Sequence, residues 1–372
     1  MHEELSGVRI MAYTTIDDPS AHFQIALWTG SASTDTITFD GNSDLQLDLL
    51  WSKCRSTGHS HALMDTSRIT SGDYLPLFAD TTDQEQTAYD SELQSITSDG
   101  FTVGTQPHAG GDGKTYVGYG WKANGGTTTT NDASSTGVGT IDSVYQANTT
   151  AGFSIVTHTG SGSAGNIAHG LGAVPEWIVT KNRTDNGQSW ANYHVSIGNG
   201  YYLELDTTDA QESASSVWGD TTPSSTTFRV GGANGKNNAS NKNYVSYCFT
   251  PIQGYSKFGK YTGNGAEPGG PFVYLGFKPA WLMITAYSES GQAWFLGDNK
   301  RDPTNEVTKR LFPNLSSAEG EASGDNNLDY LSNGFRLTTQ DDGLNKDGVT
   351  YIYMAFAESP FVTSNGTPNN AR

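Results

Sequence analysis

The chain has 372 residues, and its 21 Lys plus Arg against 39 Asp plus Glu leave a formal net charge of −18. That sign excludes proteins that hold nucleic acid through its phosphates or dock on an anionic membrane, both of which need basic patches. Charged residues make up only 16%, whereas 35% apolar and 11% aromatic residues are enough to build packed cores, so this is not the composition of a disordered chain.

The opening Met1-His2-Glu3-Glu4-Leu5 is acidic and has no apolar stretch, so no signal peptide is expected. No stretch is long enough for membrane insertion. Residues 1–22 read as an N-terminal arm. A first β-rich unit spans 23–123: it opens on Phe23-Gln-Ile-Ala-Leu-Trp-Thr-Gly30, continues through Trp51, Leu63-Met64 and Phe101-Thr-Val103, and closes on Tyr116-Val-Gly-Tyr-Gly-Trp121. Residues 124–150, dominated by Gly, Thr and Ser, read as a flexible linker that would let the first unit sit apart. A second unit, 151–252, opens on Phe153-Ser-Ile-Val-Thr-His-Thr-Gly160, contains Trp177-Ile-Val179 and Trp190, and closes on Tyr244-Val-Ser-Tyr-Cys-Phe249. The third, 253–361, follows with almost no spacer. It opens on Tyr255-Ser-Lys-Phe-Gly-Lys-Tyr-Thr-Gly263 and closes on Tyr351-Ile-Tyr-Met-Ala-Phe356. Within it, Asp302 as N-cap and Pro303 in the first turn predict a short helix over 303–312. Residues 362–372 read as a frayed tail.

These units are copies of one another. From the Thr-Gly glycine to the first tyrosine of the closing stripe the distance is 116 − 30 = 86, 244 − 160 = 84 and 351 − 263 = 88 residues. Trp177 and Trp190 are 13 apart, as are Trp281 and Trp294, and Lys53-Cys-Arg55 matches Lys181-Asn-Arg183. The segments are short, rich in β-branched and aromatic residues, and bounded by Gly, Asn, Asp and Ser, which is strand and turn chemistry. The expected fold is all-β: three tandem antiparallel β-sandwiches. Because strand side chains alternate, Tyr119 with Trp121, Tyr247 with Phe249 and Met354 with Phe356 share a face, and that face reads as core.

Several phrases carry a resemblance: Gly254-Tyr-Ser-Lys-Phe-Gly-Lys-Tyr-Thr-Gly-Asn-Gly265, Gly276-Phe-Lys-Pro-Ala-Trp281, Gly170-Leu-Gly-Ala-Val-Pro-Glu-Trp177 and Thr350-Tyr-Ile-Tyr-Met-Ala-Phe-Ala-Glu-Ser-Pro-Phe361. From Ala12 onward the chain resembles repeat-built virion proteins of marine tailed bacteriophages, of tail or tail-fibre type. The resemblance implies jelly-roll or concanavalin-like sandwiches and a structural tail or fibre component in the virion, assembled in the host cytoplasm. It also implies self-association into a homo-oligomer, contact with other phage virion proteins, and contact with a host cell-surface glycan. A capsid-surface fibre, a carbohydrate-active tail depolymerase and a lectin are the alternatives. It carries over no catalytic or binding residue.

Candidate chemistry is sparse. Asp341, Asp342, Asn345 and Asp347 gather oxygen ligands of the kind Ca²⁺ takes, but without EF-hand spacing, and hairpin chemistry favours the same residues. No other cofactor is expected. His59 and His61 could start a Zn²⁺ site, with Asp65 four residues on. Glycoside hydrolysis needs two carboxylates facing a sugar; Asp65 and Asp298 fall at comparable positions, where the second copy has His194. Arg68 and Arg301, three residues further on, make a turn salt bridge the simpler reading. No Gly-x-Ser-x-Gly elbow or phosphate loop supports another enzyme class, so no enzyme is expected. Trp28, equivalent by count to His158, reads as an outward ring, and Trp218 sits among polar residues; both are candidate sugar-stacking platforms. Trp177, Trp190, Trp281 and Trp294 read as core. Cys54 and Cys248 read as separate packed thiols of a protein made in a reducing compartment.

Overall fold

The computed structural model describes residues 12–89, 92–321 and 328–370. The fold is all-β, with each copy built on a pair of antiparallel sheets, five strands in each for the first copy, eight and two for the second, four and three for the third; the sheet that holds the opening and closing strands is the larger in residues. In the first copy the larger sheet has the order Phe23–Thr29, Thr115–Trp121, Leu49–Cys54, Ala62–Asp65, Leu77–Phe78. In the second the matching strands are Phe153–Thr159, Asn243–Phe249, Trp177–Asn182 and Ala191–His194. In the third they are Ser256–Thr262, Thr350–Pro360, Phe277–Ala286 and Phe295–Asp298. The closing strand therefore lies between the opening strand and the Trp-bearing strand in all three copies.

The registers superpose residue by residue. Trp121 pairs with Phe23 and Leu49, Phe249 with Phe153 and Trp177, and Phe356 with Ser256 and Trp281. Leu49, not Trp51, is thus the counterpart of Trp177 and Trp281; Trp51 aligns with Val179 and Met283. Next in the hairpin, Asp65, His194 and Asp298 occupy one position, opposite Leu49, Trp177 and Trp281.

The alternating stripe is core, as expected, but the core it builds belongs to all three copies together. One cluster joins Ile25, Trp51, Tyr119 and Trp121 of the first copy to Ile155, Trp177, Tyr247 and Phe249 of the second and Phe258, Trp281, Met354 and Phe356 of the third. Rings touch across copies: Trp121 and Trp281 centroids are 5.7 Å apart, Phe249 and Phe356 5.9 Å, and Phe23 stacks on Phe356 at 5.2 Å. The opposite face of each larger sheet covers a private core against the smaller sheet. The larger sheets are therefore buried on both sides, and all six residues of Leu49–Cys54 and of Trp177–Asn182 are buried. The expectation that the first copy sits apart is corrected by this shared core.

Other expectations change too. Residues 124–150 are no linker: Thr129–Asn131 and Ser143–Asn148 extend the second copy's larger sheet, with the short helix Ala133–Thr136 between them. The helix predicted over 303–312 does not form. Asp302 instead accepts the Thr308 and Lys309 N–H groups, and Val307 and Leu311 bridge to Leu328 and Leu296 as extended chain. Of the N-terminal arm, residues 1–11 lie outside the described residues, while the Thr14 hydroxyl bonds the Gln253 carbonyl and Ile16 enters the common core. The tail is held as well: Asn369 N–H bonds the Phe361 carbonyl, and Ser364 bonds Asp17. Among the described residues, no helix is long and apolar enough to cross a membrane.

Candidate functional site

The chemistry-bearing residues gather at three seams where the copies meet, and the seams close head to tail into a ring. Each repeats one backbone bond: Glu85 N–H to the Arg183 carbonyl (copies one and two), Gln211 to Tyr287 (two and three), and Glu319 to Arg55 (three and one). At the first seam the Asp65 carboxylate accepts from Arg68 at 2.6 Å and from the Tyr247 hydroxyl at 2.7 Å. Arg68 also bonds Glu85, which a second cation, Arg183, holds at 2.9 Å. The seam between copies three and one repeats this set: Asp298 accepts from Arg301 and from Tyr119 at 2.9 Å, and Glu319 pairs with Arg301 and Arg55. Burial opposes the charge on Arg68, yet Asp65, Tyr247 and Glu85 outweigh it and hold its pKa above the usual range. Burial alone would raise Glu319, but Arg55 and Arg301 keep it below the usual carboxylate range. Asp65 and Asp298 are about 1% and 0% exposed and sit at different seams, so they do not form a pair facing a sugar; both make the turn salt bridge.

The seam between copies two and three has lost these charges in concert. His194 stands for the aspartate, Ile197 for the arginine and Met354 for the tyrosine, and Gln211 with Tyr287 replaces Glu with Arg. Burial pushes His194 down to about 3, so it is neutral there. A second set changes in the same way. Asp80, Asp206 and Asn314 each accept the N–H of His61, Trp190 and Trp294 respectively, at 2.8–3.0 Å. Asp80 faces buried Lys53 and Asp206 faces buried Lys181, whereas Asn314 belongs to the copy with Thr285 at the lysine position. Lysine and aspartate have thus been exchanged together for threonine and asparagine.

The sequence candidates for ligand binding turn out to be built into the fold. Trp28 does not point outward. It stacks on Tyr116 at 5.4 Å and donates to the Ala109 carbonyl, as His158 stacks on Tyr244 and bonds the Asn237 carbonyl, and as Tyr261 stacks on Tyr351 and donates to the Leu344 carbonyl. The position varies among Trp, His and Tyr, all flat rings with a polar edge. Trp218 is 2% exposed and packs edge-on against Tyr193. Both therefore lack an open ring face. In the Ca²⁺ candidate, Asp341 caps the turn Asp342–Asn345 through Gly343 N–H and pairs with Arg310. Asn345 is buried, bonding Asn264 N–H and the Ala266 and Thr339 carbonyls, just as Asn238 bonds Ser161 N–H and the Ser163 and Gly231 carbonyls. Two of the four oxygen donors are thus committed to the hairpin, while Asp342 and Asp347 are exposed. His61 accepts the Trp51 indole N–H and His59 packs against His108, so they do not converge on a metal. Among the described residues, Glu204, Asp209 and Glu212 bring three carboxylates together, but Lys236 and the Tyr202 hydroxyl already engage Glu204 and Glu212.

Sequence reasoning missed the glutamates Glu85 and Glu319, whose signal is a near-constant distance from the arginine of their own copy, 85 − 68 = 17 and 319 − 301 = 18 residues. It also missed an outward pair of rings, Phe272 and Tyr274, whose signal is their i, i+2 spacing in a strand. No curated protein and no solved structure matches the chain. Residues 18–360 match the family model of a domain of unknown function, DUF7483, and the chain belongs to that family.

Proposed function

We propose that this protein is a non-enzymatic structural component of a tailed-phage virion, of tail or fibre type, which self-associates and presents a face to the host surface. The observation that carries the structural half of the reading is the closed ring: the aspartates at the Asp65 and Asp298 positions are spent in holding copies together. The virion half rests on the resemblance of the three repeats to phage tail proteins. A single chain that closes its own pseudo-threefold ring is a ready-made building block, and a net charge of −18 keeps such blocks soluble until they meet their neighbours. The test is mass spectrometry of purified virions of the phage that encodes the chain, with light scattering on the recombinant protein. Peptides at a fixed copy number per virion support the reading. Their absence from virions, with the protein free in the lysate, overturns it.

A further inference from the structure

Phe272 and Tyr274 point outward from the strand Phe272–Tyr274 at the edge of the third copy's smaller sheet, and they are 48% and 47% exposed. The other two copies hold polar residues at the position of Phe272. Phe272 pairs with Arg336, Asn166 with Arg229 and Thr36 with Thr102. In the first copy the two threonine hydroxyls bond each other at 3.2 Å, and in the second the Asn166 amide oxygen reaches Arg229 at 3.5 Å. The third copy replaces that partner with a phenyl ring and leaves the Arg336 guanidinium exposed beside it. Tyr274 likewise stands where the second copy has Ala168. Its ring is held in place: the Tyr13 hydroxyl meets its own at 3.0 Å, and Lys257 lies 5.3 Å from its centroid.

We propose that this face, centred on Phe272, Tyr274 and Arg336, binds a neutral saccharide chain. The exposed Phe272 ring and the face of Tyr274 that Lys257 leaves uncovered supply apolar surfaces for sugar rings, and the guanidinium supplies hydrogen bonds to hydroxyls. The charges nearby lean negative, with Asp329 and Glu306 beside Arg336 and Glu176 beside Lys257, which selects against an anionic ligand. The size also fits. Half-exposed aromatic side chains offer roughly 100 Å² each, far below the ~800 Å² a protein partner covers. The proposal deepens the host-contact part of the function proposed above and leaves its virion part to the virion experiment.

The test is affinity electrophoresis in native gels carrying laminarin, mannan, dextran or xylan, with alginate as an acidic polymer. The variant is Phe272→Asn with Tyr274→Ala, which places the second repeat's residues at both positions, with an unchanged melting temperature as the check that it folds. We expect retardation by at least one neutral polymer, a roughly tenfold or greater loss in the double variant, and retention in Phe272→Trp. Retardation by alginate alone overturns the proposal, as does no retardation by any neutral polymer, or equal retardation of variant and wild type. A drop in oligomeric mass of the double variant by light scattering, without loss of polymer binding, would assign the face to self-association instead.

Discussion

The seam between copies one and two predicts an inequality between two variants. Arg68 donates to Asp65, to Glu85 at 2.5 Å, and to the Leu63 and Leu75 carbonyls, both at 3.0 Å, and its side chain is closed to solvent. Arg68→Met leaves the Asp65 charge buried with only Tyr247 and Ser67 N–H for company. Removing one partner of a buried ion pair costs about 3–5 kcal/mol. With an unfolding entropy of about 2.1 cal/mol/K per residue, a cooperative chain of this length loses about 4–6 °C in Tm. The protein also contains the uncharged solution, in the seam between copies two and three. Copying it whole, as D65H/R68I/E85Q/R183Y/Y247M, removes the charges together. Replacing a buried ionic set by packed groups is about neutral, so this five-residue variant should recover at least half of the loss. The assay is scanning calorimetry at pH 7, with a urea titration to confirm the order. A loss below about 1 kcal/mol for Arg68→Met, or a five-residue variant that melts as low as the single one, refutes the reasoning.

Three further outcomes follow. Burial pushes His158 down to about 4, so the unfolded chain takes its proton near 6.5 and the folded chain only near 4. The stability this group contributes is full above about 6.5 and is lost as pH falls toward 4. His158→Tyr, which installs the residue found at Tyr261, should gain on wild type steadily in Tm from pH 7 to pH 4; a constant difference contradicts this. Tyr244→Phe strips the hydroxyl that accepts Ala239 N–H and donates to the Gly235 carbonyl, and should cost about 1–3 kcal/mol by urea unfolding, against no change if water takes over both groups. Because Asp341 and Asn345 are committed to hairpin bonds, millimolar Ca²⁺ should leave Tm unchanged; a rise of several degrees would restore the 341–348 loop as a site.

The triplication was legible because it is written in local terms. Strand alternation, turn residues and constant spacings survive without tertiary knowledge, and they located the position shared by Asp65, Asp298 and His194. The common core was not legible, because a strand buried on one face and one buried on both look alike when each face mixes apolar with polar residues, as Ser52 does on one face of Leu49–Cys54 and Lys53 on the other. The strands inside 124–150 were hidden for a different reason: the ladder uses backbone groups, so Thr129–Asn131 pairs with Ser143–Asn148 whatever its side chains. At 303–312 the helix signals were present, but the pull of Val307 and Leu311 into the fold was stronger than local propensity. For Trp28 the inference from variability failed because Trp, His and Tyr share the two properties the position requires, a flat ring to stack and an edge to donate.

The seams also explain what a single chain gains over three separate subunits. In a true trimer every interface is identical, so a charge change appears three times at once. Joined in one chain, each seam and each outer face can change alone. The differences between copies follow that logic: Gln with Tyr stands at one seam where Glu with Arg stands at the other two, and Thr with Asn where the others have Lys with Asp, each as a matched pair and each around one seam. Matched exchange is what the energetics require, since half of such a change strands a buried charge whereas the whole change does not. The same freedom allows Thr36 and Asn166 to be polar while their counterpart is Phe272. The backbone pairing of the ring is thus threefold, while side chains differ from copy to copy both at the buried seam between copies two and three and at the outward Phe272 position.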